Sequence, residues 1–464
     1  MSTYSQRRVA DVASVTPAHA LHAFHAAHLP GTLANALSTP FYRGHWAACD
    51  PGRVRTPVDL QRLPLVEKYD IRTAGGDAQI REGVVCHDVF TTGTTGDPLI
   101  TVRSDREQAY IAAFFSRVAT RRPYNTRLRG LEFTNPYHGH LLRIPGATHF
   151  HRTSIYDAGS FAYGRATLAR PHRDHGVEPR CTILMGLEQC LRAFTLDTLA
   201  LHPDGFPDSP LEAVVTYSQY LTDAWRSRLQ RTWHAPVIDR FGVSEIFGGA
   251  SQCLRCGWYH FEPFVIAEIV GAHSGNVIHE GCGLLALTAL HPFQQAQPLI
   301  RYLTGDLVET SATASCRPGT TAMRPLGRAR YGVPVPGTDL WAITPSSVLE
   351  AVDECTDIER TGRFPGLDQV RDPLALGVPK YRTRWSEQDG RLHIRLDIAI
   401  RPETPPDRRA RVAGKVRERI IARNPRLASS IGTDSATLDV CPCDTLGAYD
   451  LIAQAHSGGV WSAS

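Results

Sequence analysis

Apolar residues in the first sixty positions recur at helical spacing, in "VADVASVTPAHALHAFHAAHLPGTLANAL", and Thr16-Pro17 is the start signal of that helix. Its histidines are expected on solvated faces. The apolar run Val84 to Phe90 reads as a strand, "TTGTTGDP" follows as a loop, and "SDREQAYIAAFFSRVATR" continues as a helix begun at Ser104 or Asp105. "TILMGLEQCLRAF" and "DAWRSRLQRTW" read as helices, and "APVIDRFGVSEI" as a short buried strand running into a loop. Short apolar runs from Phe261 to Glu309 alternate with Gly, His and Pro turns, which predicts sheet. After "PLGRARYGVPVPG" the pattern changes. "SSVLEAVDE" is helical, "RLHIRLDIAIRP" alternates like a half-buried strand, and "RRARVAGKVRERIIAR" is an amphipathic basic helix. A boundary near Gly327 therefore divides the chain into residues 1–327 and 328–464, and no internal repeat is visible.

The 464 residues and the 42% hydrophobic content suit a large α/β unit with a smaller one beside it. The net charge of +4 is scattered rather than gathered in a stripe, which predicts no nucleic-acid and no membrane-surface partner. No run reaches the ~18 apolar residues of a membrane helix, and the twin arginines Arg7 and Arg8 precede Asp11, Pro17 and His19 instead of an apolar core. A cytoplasmic location is expected. Eleven cysteines in a chain of this size then argue for reduced thiols, and for metal binding over a disulfide framework. Lys68, Lys380 and Lys415 are the three lysines, against 47 arginines, so each lysine can be weighed singly.

The eight residues Thr91 to Pro98 hold four threonines and two glycines. Glycines let successive N–H groups form a concave nest for an anion, and threonine hydroxyls add donors, so the stretch suits a phosphate; a plain surface turn has the same composition. "FGVSEI" (Phe241 to Ile246), "YLTGDLVE" (Tyr302 to Glu309) and "LGRA" (Leu326 to Ala329) follow in order. In this order and spacing the chain resembles the adenylate-forming superfamily of acyl-CoA ligases and adenylation domains. "STPFYRGHW" and "LPLVEKYDIR" make it most similar to the phenylacetate-CoA ligase type, over about residues 35 to 350.

The resemblance implies a large multi-sheet N-terminal α/β domain that binds ATP and the acyl group, then a small α+β C-terminal lid. It implies that a carboxylate attacks the α-phosphate of ATP, giving an acyl adenylate and pyrophosphate, and that a thiol of coenzyme A or a carrier protein takes the acyl group. Thr91, Thr92, Gly93, Thr94, Thr95 and Gly96 then hold the leaving phosphates. Glu245 becomes a hard ligand for Mg2+, Ser244 a contact to the α-phosphate, and Phe241 a platform for adenine. Asp306 accepts the ribose hydroxyls, with Arg328 as a second ribose or phosphate contact. Tyr137, His138, Tyr217 and Ser218 line the acyl pocket, where aromatic and imidazole groups suit an aromatic acid, although ordinary core roles fit them equally.

"CLRCGWYH" brings Cys253, Cys256 and His260 together, and the resemblance points to Cys316 as the fourth ligand of a structural zinc ion. Buried thiols beside a surface histidine are the alternative. Two family features are missing. No lysine or arginine follows Arg426, where a lid lysine is expected, and Arg330 stands where the hinge aspartate belongs. Lys380 is the replacement favoured by position, with Lys68 or an arginine as alternatives. An altered lid also fits adenylation with transfer to a nitrogen nucleophile, activation of nitrite, or a nucleotide-binding homologue without catalysis.

Overall fold

The structure is a computed structural model, and it describes residues 18–90, 100–119, 127–133, 148–153, 158–174, 176–361, 378–444 and 446. Helix α1 (Ala18–Leu37) follows the predicted spacing. Its histidines, however, do not face solvent throughout. His25 is buried, with Nε2 at 3.0 Å from the Pro263 carbonyl, and His28 lies 3.0 Å from the His291 carbonyl. Imidazoles that find carbonyl acceptors can be buried as neutral rings, and burial pulls the His25 pKa down to about 4.

An eleven-stranded mixed sheet dominates the large part of the chain, in the order β10-β11-β12-β13-β9-β8-β7-β6-β5-β3-β4. One half is parallel: β3 (Leu128–Phe133), β4 (Thr148–Thr153), β5 (Ile183–Leu187), β6 (Ala213–Tyr217) and β7 (Val237–Gly242). The other half is antiparallel: β8 (Gly249–Gln252), β9 (Tyr259–Phe261), β10 (Val265–Val270), β11 (Glu280–Ala289), β12 (Tyr302–Ser311) and β13 (Ala322–Arg328). The direction changes at β7, which pairs parallel with β6 and antiparallel with β8. The "FGVSEI" turn starts at that strand's end, so it opens between the two halves.

Two local expectations are corrected. "TILMGLEQCLRAF" is the strand β5 followed by a helix, Glu188–Leu201, instead of one helix. A five-residue apolar run is ambiguous by periodicity alone, and pairing with β3 and β6 on either side decides it. The glycine-threonine stretch joins two strands, β1 (Cys86–Phe90) and β2 (Ile100–Ser104), which pair antiparallel; the helix Asp105–Ala119 starts only after β2. Residues Thr91 to Gly96 themselves lie outside the described residues.

A separate apolar core runs from Val333 to Leu438. It gathers the helices Pro345–Asp353 and Pro406–Arg423 against β14 (Tyr381–Gln388), β15 (Arg391–Ala399) and β16 (Ala436–Cys443). The helix Pro345–Asp353 also reaches back to the large sheet's helices. Asp353 accepts from Thr222 Oγ1 at 2.7 Å and from Arg360 at 2.8 Å, with Arg192 at 3.4 Å. Glu350 accepts from the Tyr220 hydroxyl at 3.1 Å and the Asp223 N–H at 3.0 Å. Burial opposes ionisation of Asp353, yet the two guanidinium groups hold its carboxyl below the usual range. Its contribution is therefore present at neutral pH and lost as the pH falls through the depressed folded value. Removing one partner of a buried ion cluster leaves charge uncompensated, so Asp353→Ala is expected to cost about 3–5 kcal/mol in a urea unfolding titration. An unchanged midpoint would show the cluster to be energetically idle.

Candidate active site

Three polar side chains, Glu245, Tyr302 and Lys68, meet at the turn that follows β7. Glu245, in the turn after β7, is buried and accepts a hydrogen bond from the Tyr302 hydroxyl at 3.1 Å. Lys68 Nζ lies 3.7 Å from the same carboxylate oxygen. Lys68 gets there because "LPLVEKYDIR" runs alongside the start of β12: the Val66 N–H donates to the Arg301 carbonyl, and the Leu303 N–H to the Val66 carbonyl. Burial draws the Lys68 ammonium below its ordinary pKa, and Glu245 opposes that shift.

Asp306 and Arg328 are register partners on β12 and β13. Arg328 Nε lies 3.4 Å from Asp306 Oδ1, and its Nη1 donates to the Thr304 carbonyl at 2.5 Å. Asp306 Oδ2 is buried with no hydrogen-bond partner among the described residues. Burial raises the Asp306 pKa against the pull of Arg328. A buried carboxylate oxygen without a donor is costly, and two sugar hydroxyls are the kind of group that would satisfy it.

Phe241 is half-buried on β7, and Ser244 follows in the turn. The hairpin from β7 to β8 is tight enough that a Cβ at Gly249 would stand 2.0 Å from the Phe241 carbonyl oxygen, so only glycine fits there. Tyr217 ends β6, with its hydroxyl 3.4 Å from Glu132, and Ser218 follows in the left-handed region at φ 84°. Tyr137 and His138 lie outside the described residues. Lys380 is held elsewhere, 2.5 Å from Glu359 at the head of β14.

Cys253, Cys256, His260 and Cys316 form one cluster in which all four ligand atoms lie within 4.8 Å of one another. Cys253 Sγ is 3.7 Å from Cys316 Sγ, and His260 Nε2 is 3.4 Å from Cys256 Sγ and 3.6 Å from Cys316 Sγ. Zinc bonds of ~2.3 Å to sulfur and ~2.0–2.1 Å to nitrogen give tetrahedral edges of roughly 3.8 Å between thiolates and roughly 3.6 Å between thiolate and imidazole. The donor set and its spacing fit that ion. The hairpin between β8 and β9 carries the first two cysteines, and β9 itself carries His260. Cys316 lies between β12 and β13, and β9 pairs with β13. Neighbouring Tyr259 donates to buried Asp239 on β7 at 2.7 Å, which links the cluster to the strand that carries Phe241.

Tyr302 and Arg103 are the residues sequence reading left without a role. Tyr302 opens the "YLTGD" motif, but nothing local shows that its hydroxyl crosses to Glu245. Arg103 follows the apolar residues "ITV" on β2, and a charged residue after such a run is a usable signal.

The eleven-stranded mixed sheet followed by a small α+β unit is a fold that this chain shares with solved acyl-CoA ligases. Among solved structures, the chain is similar to 2-hydroxyisobutyryl-CoA ligase in an open conformation with 2-HIB-AMP and CoA. The TM-score is 0.62 at 16% identity, over 93% of this chain and 90% of that one. The same ligase in the postadenylation state with 2-HIB-AMP gives 0.56 at 16% identity, over 94% and 89%. ATP-bound MatB from Rhodopseudomonas palustris gives 0.50 at 14% identity, over 78% and 64%. No protein-family model and no curated protein sequence matches the chain. No described helix is long and apolar enough to cross a membrane.

Proposed function

We propose that this chain, with an ATP- and acyl-binding part over 1–327 and a mobile lid over 328–464, activates a small carboxylic acid as its adenylate and passes the acyl group to a thiol. The reading that fits best is an AMP-forming ligase of the phenylacetate-CoA ligase type, acting on an aromatic acid, with coenzyme A or a carrier protein as acceptor. The observation that carries it is the buried Oδ2 of Asp306, without a hydrogen-bond partner among the described residues, beside Arg328 and on the strand whose first residue, Tyr302, holds Glu245.

The acid's carboxylate oxygen attacks the α-phosphorus of ATP and the bond to the pyrophosphate oxygen breaks. The thiol then attacks the acyl carbonyl, AMP leaves, and the thiol proton goes to solvent. Asp306 and Arg328 bind the ribose, Phe241 faces the adenine, and Ser244 and the 91–96 loop hold phosphate oxygens. Glu245, a hard oxygen donor oriented by Tyr302, is suited to hold Mg2+, whose bound charge would neutralise the phosphates. Lys68 adds a cation next to Glu245, and Tyr217 and Ser218, with Tyr137 and His138, line the acyl side. Cys253, Cys256, His260 and Cys316 hold a structural zinc ion that keeps β8, β9 and β13 in register.

Lys68 supplies the positive charge that the C-terminal segment lacks. Lys68→Met is expected to lower pyrophosphate release about 10²-fold, while Lys380→Met, which frees Glu359, lowers it less. The reverse order would return the role to Lys380 and a lid rotation. The founding test is ATP-dependent pyrophosphate release over a panel of aromatic and aliphatic acids. Release that requires a particular acid supports the reading, and ATP binding without release under any acid reduces the chain to a nucleotide binder. The absence of lysine and arginine after Arg426 favours one second reading, a nitrogen acceptor or nitrite activation. Product analysis with coenzyme A, amines and nitrite separates the two.

A further inference from the structure

Arg103 is among the largest fully buried side chains of the protein, and its surroundings connect two segments far apart in sequence. It stands on β2, the strand that leaves the 91–99 connection. Its Nη2 donates to the Ser244 carbonyl at 2.8 Å, and its guanidinium carbon lies 4.5 Å from the centre of the Phe247 ring. Both contacts flank Glu245, one residue before it and two after. Nη1 is enclosed with no hydrogen-bond partner among the described residues. Burial lowers the Arg103 pKa to about 10, and the charges of Glu107 and Glu245 oppose that loss.

A buried guanidinium is expensive to desolvate, and hydrophobic replacement at such sites is commonly tolerated or stabilising. A planar fork that grips a carbonyl and stacks on an aromatic face does something a hydrophobic residue cannot: it fixes a turn in one conformation. We infer that Arg103 is a positioning residue of the nucleotide site, clamping the 244–247 turn to the strand that follows the glycine-threonine stretch so that the Glu245 carboxylate is presented to the metal and the phosphates. It acts through Ser244, Phe247 and Glu245. The inference rests on the nucleotide-site reading above.

The test is calorimetric titration of ATP into the full-length protein over a range of Mg2+ concentrations, beside steady-state pyrophosphate release. Groups that orient a metal ligand typically change metal affinity or activity by about 10–100-fold when lost. Arg103→Met is expected to raise the half-saturating Mg2+ concentration for ATP binding by at least about tenfold and to lower turnover. Arg103→Lys keeps the charge but loses the fork, and is expected to recover only part of either quantity. Phe247→Leu removes the stacking face and is expected to move the Mg2+ requirement in the same direction by less. Should Arg103→Met not fold, the lysine and Phe247→Leu proteins decide by the same titration.

Glu245→Gln serves as the reference. A raised Mg2+ requirement in Glu245→Gln, with folded Arg103 variants indistinguishable from the unchanged protein, overturns the positioning role alone. No change in Glu245→Gln overturns the assignment of Glu245 to the metal, and the role of Arg103 falls with it.

Discussion

Glu245→Gln is expected to lower acid-dependent pyrophosphate release by about 10²–10³-fold while the protein keeps its fold. The amide has the shape of the carboxylate, and its oxygen can still accept from the Tyr302 hydroxyl 3.1 Å away in the unchanged protein. What is lost is one negative charge in a buried setting, where Lys68 stands 3.7 Å off. A neutral oxygen is a poorer partner for a hard dication, and removing one preorganised electrostatic contact from such a site costs roughly 3–4 kcal/mol of barrier. Stopped-time pyrophosphate assays at saturating ATP, with circular dichroism as the fold control, measure both parts. Activity within tenfold of the unchanged protein would falsify the assignment of Glu245 to the metal.

The second large effect concerns zinc. Purified protein is expected to contain one zinc ion per chain by elemental analysis, and Cys253→Ser combined with Cys316→Ser is expected to lose it. Isolated zinc fingers draw about 10–16 kcal/mol of folding free energy from the ion at neutral pH. Here the sheet has its own core, so only the ordering of the 253–260 hairpin and of the Cys316 connection depends on metal. A loss of several kcal/mol is the expected scale, seen as a lower melting temperature. ATP affinity should fall with it, since β9 stands between β8, which follows the Glu245 turn, and β13, which ends in Arg328. Metal-free protein that melts and binds ATP unchanged would show the four residues to be a plain thiol and imidazole cluster.

Much of this architecture can be read along the chain because its signals are local. The first helix, the strand before "FGVSEI", the sheet-rich stretch to Glu309 and the basic helix near the C-terminus each carry their own periodicity, and packing only ratifies it. The motif residues were equally visible, since Glu245, Asp306 and Arg328 sit in short patterns with fixed spacing. The five apolar residues of β5 were not legible, because a run that short satisfies helix and buried strand alike until partners flank it on both sides.

Spacing along the chain by itself singled out the short motifs and the Cys253, Cys256 and His260 cluster, while the fold class, the roles of the motif side chains and the choice of Cys316 followed from the family resemblance that those motifs carry. Only the tertiary structure decided which groups surround them. Lys68 reaches Glu245, rather than standing as one lysine among three, because Val66 bridges to the start of β12. Tyr302 crosses to the same carboxylate, and Arg103 binds Ser244 across 141 residues of chain. Contacts of that range are set by how strands order themselves in the sheet, and strand order follows from burying both of its faces, a property that no local stretch contains.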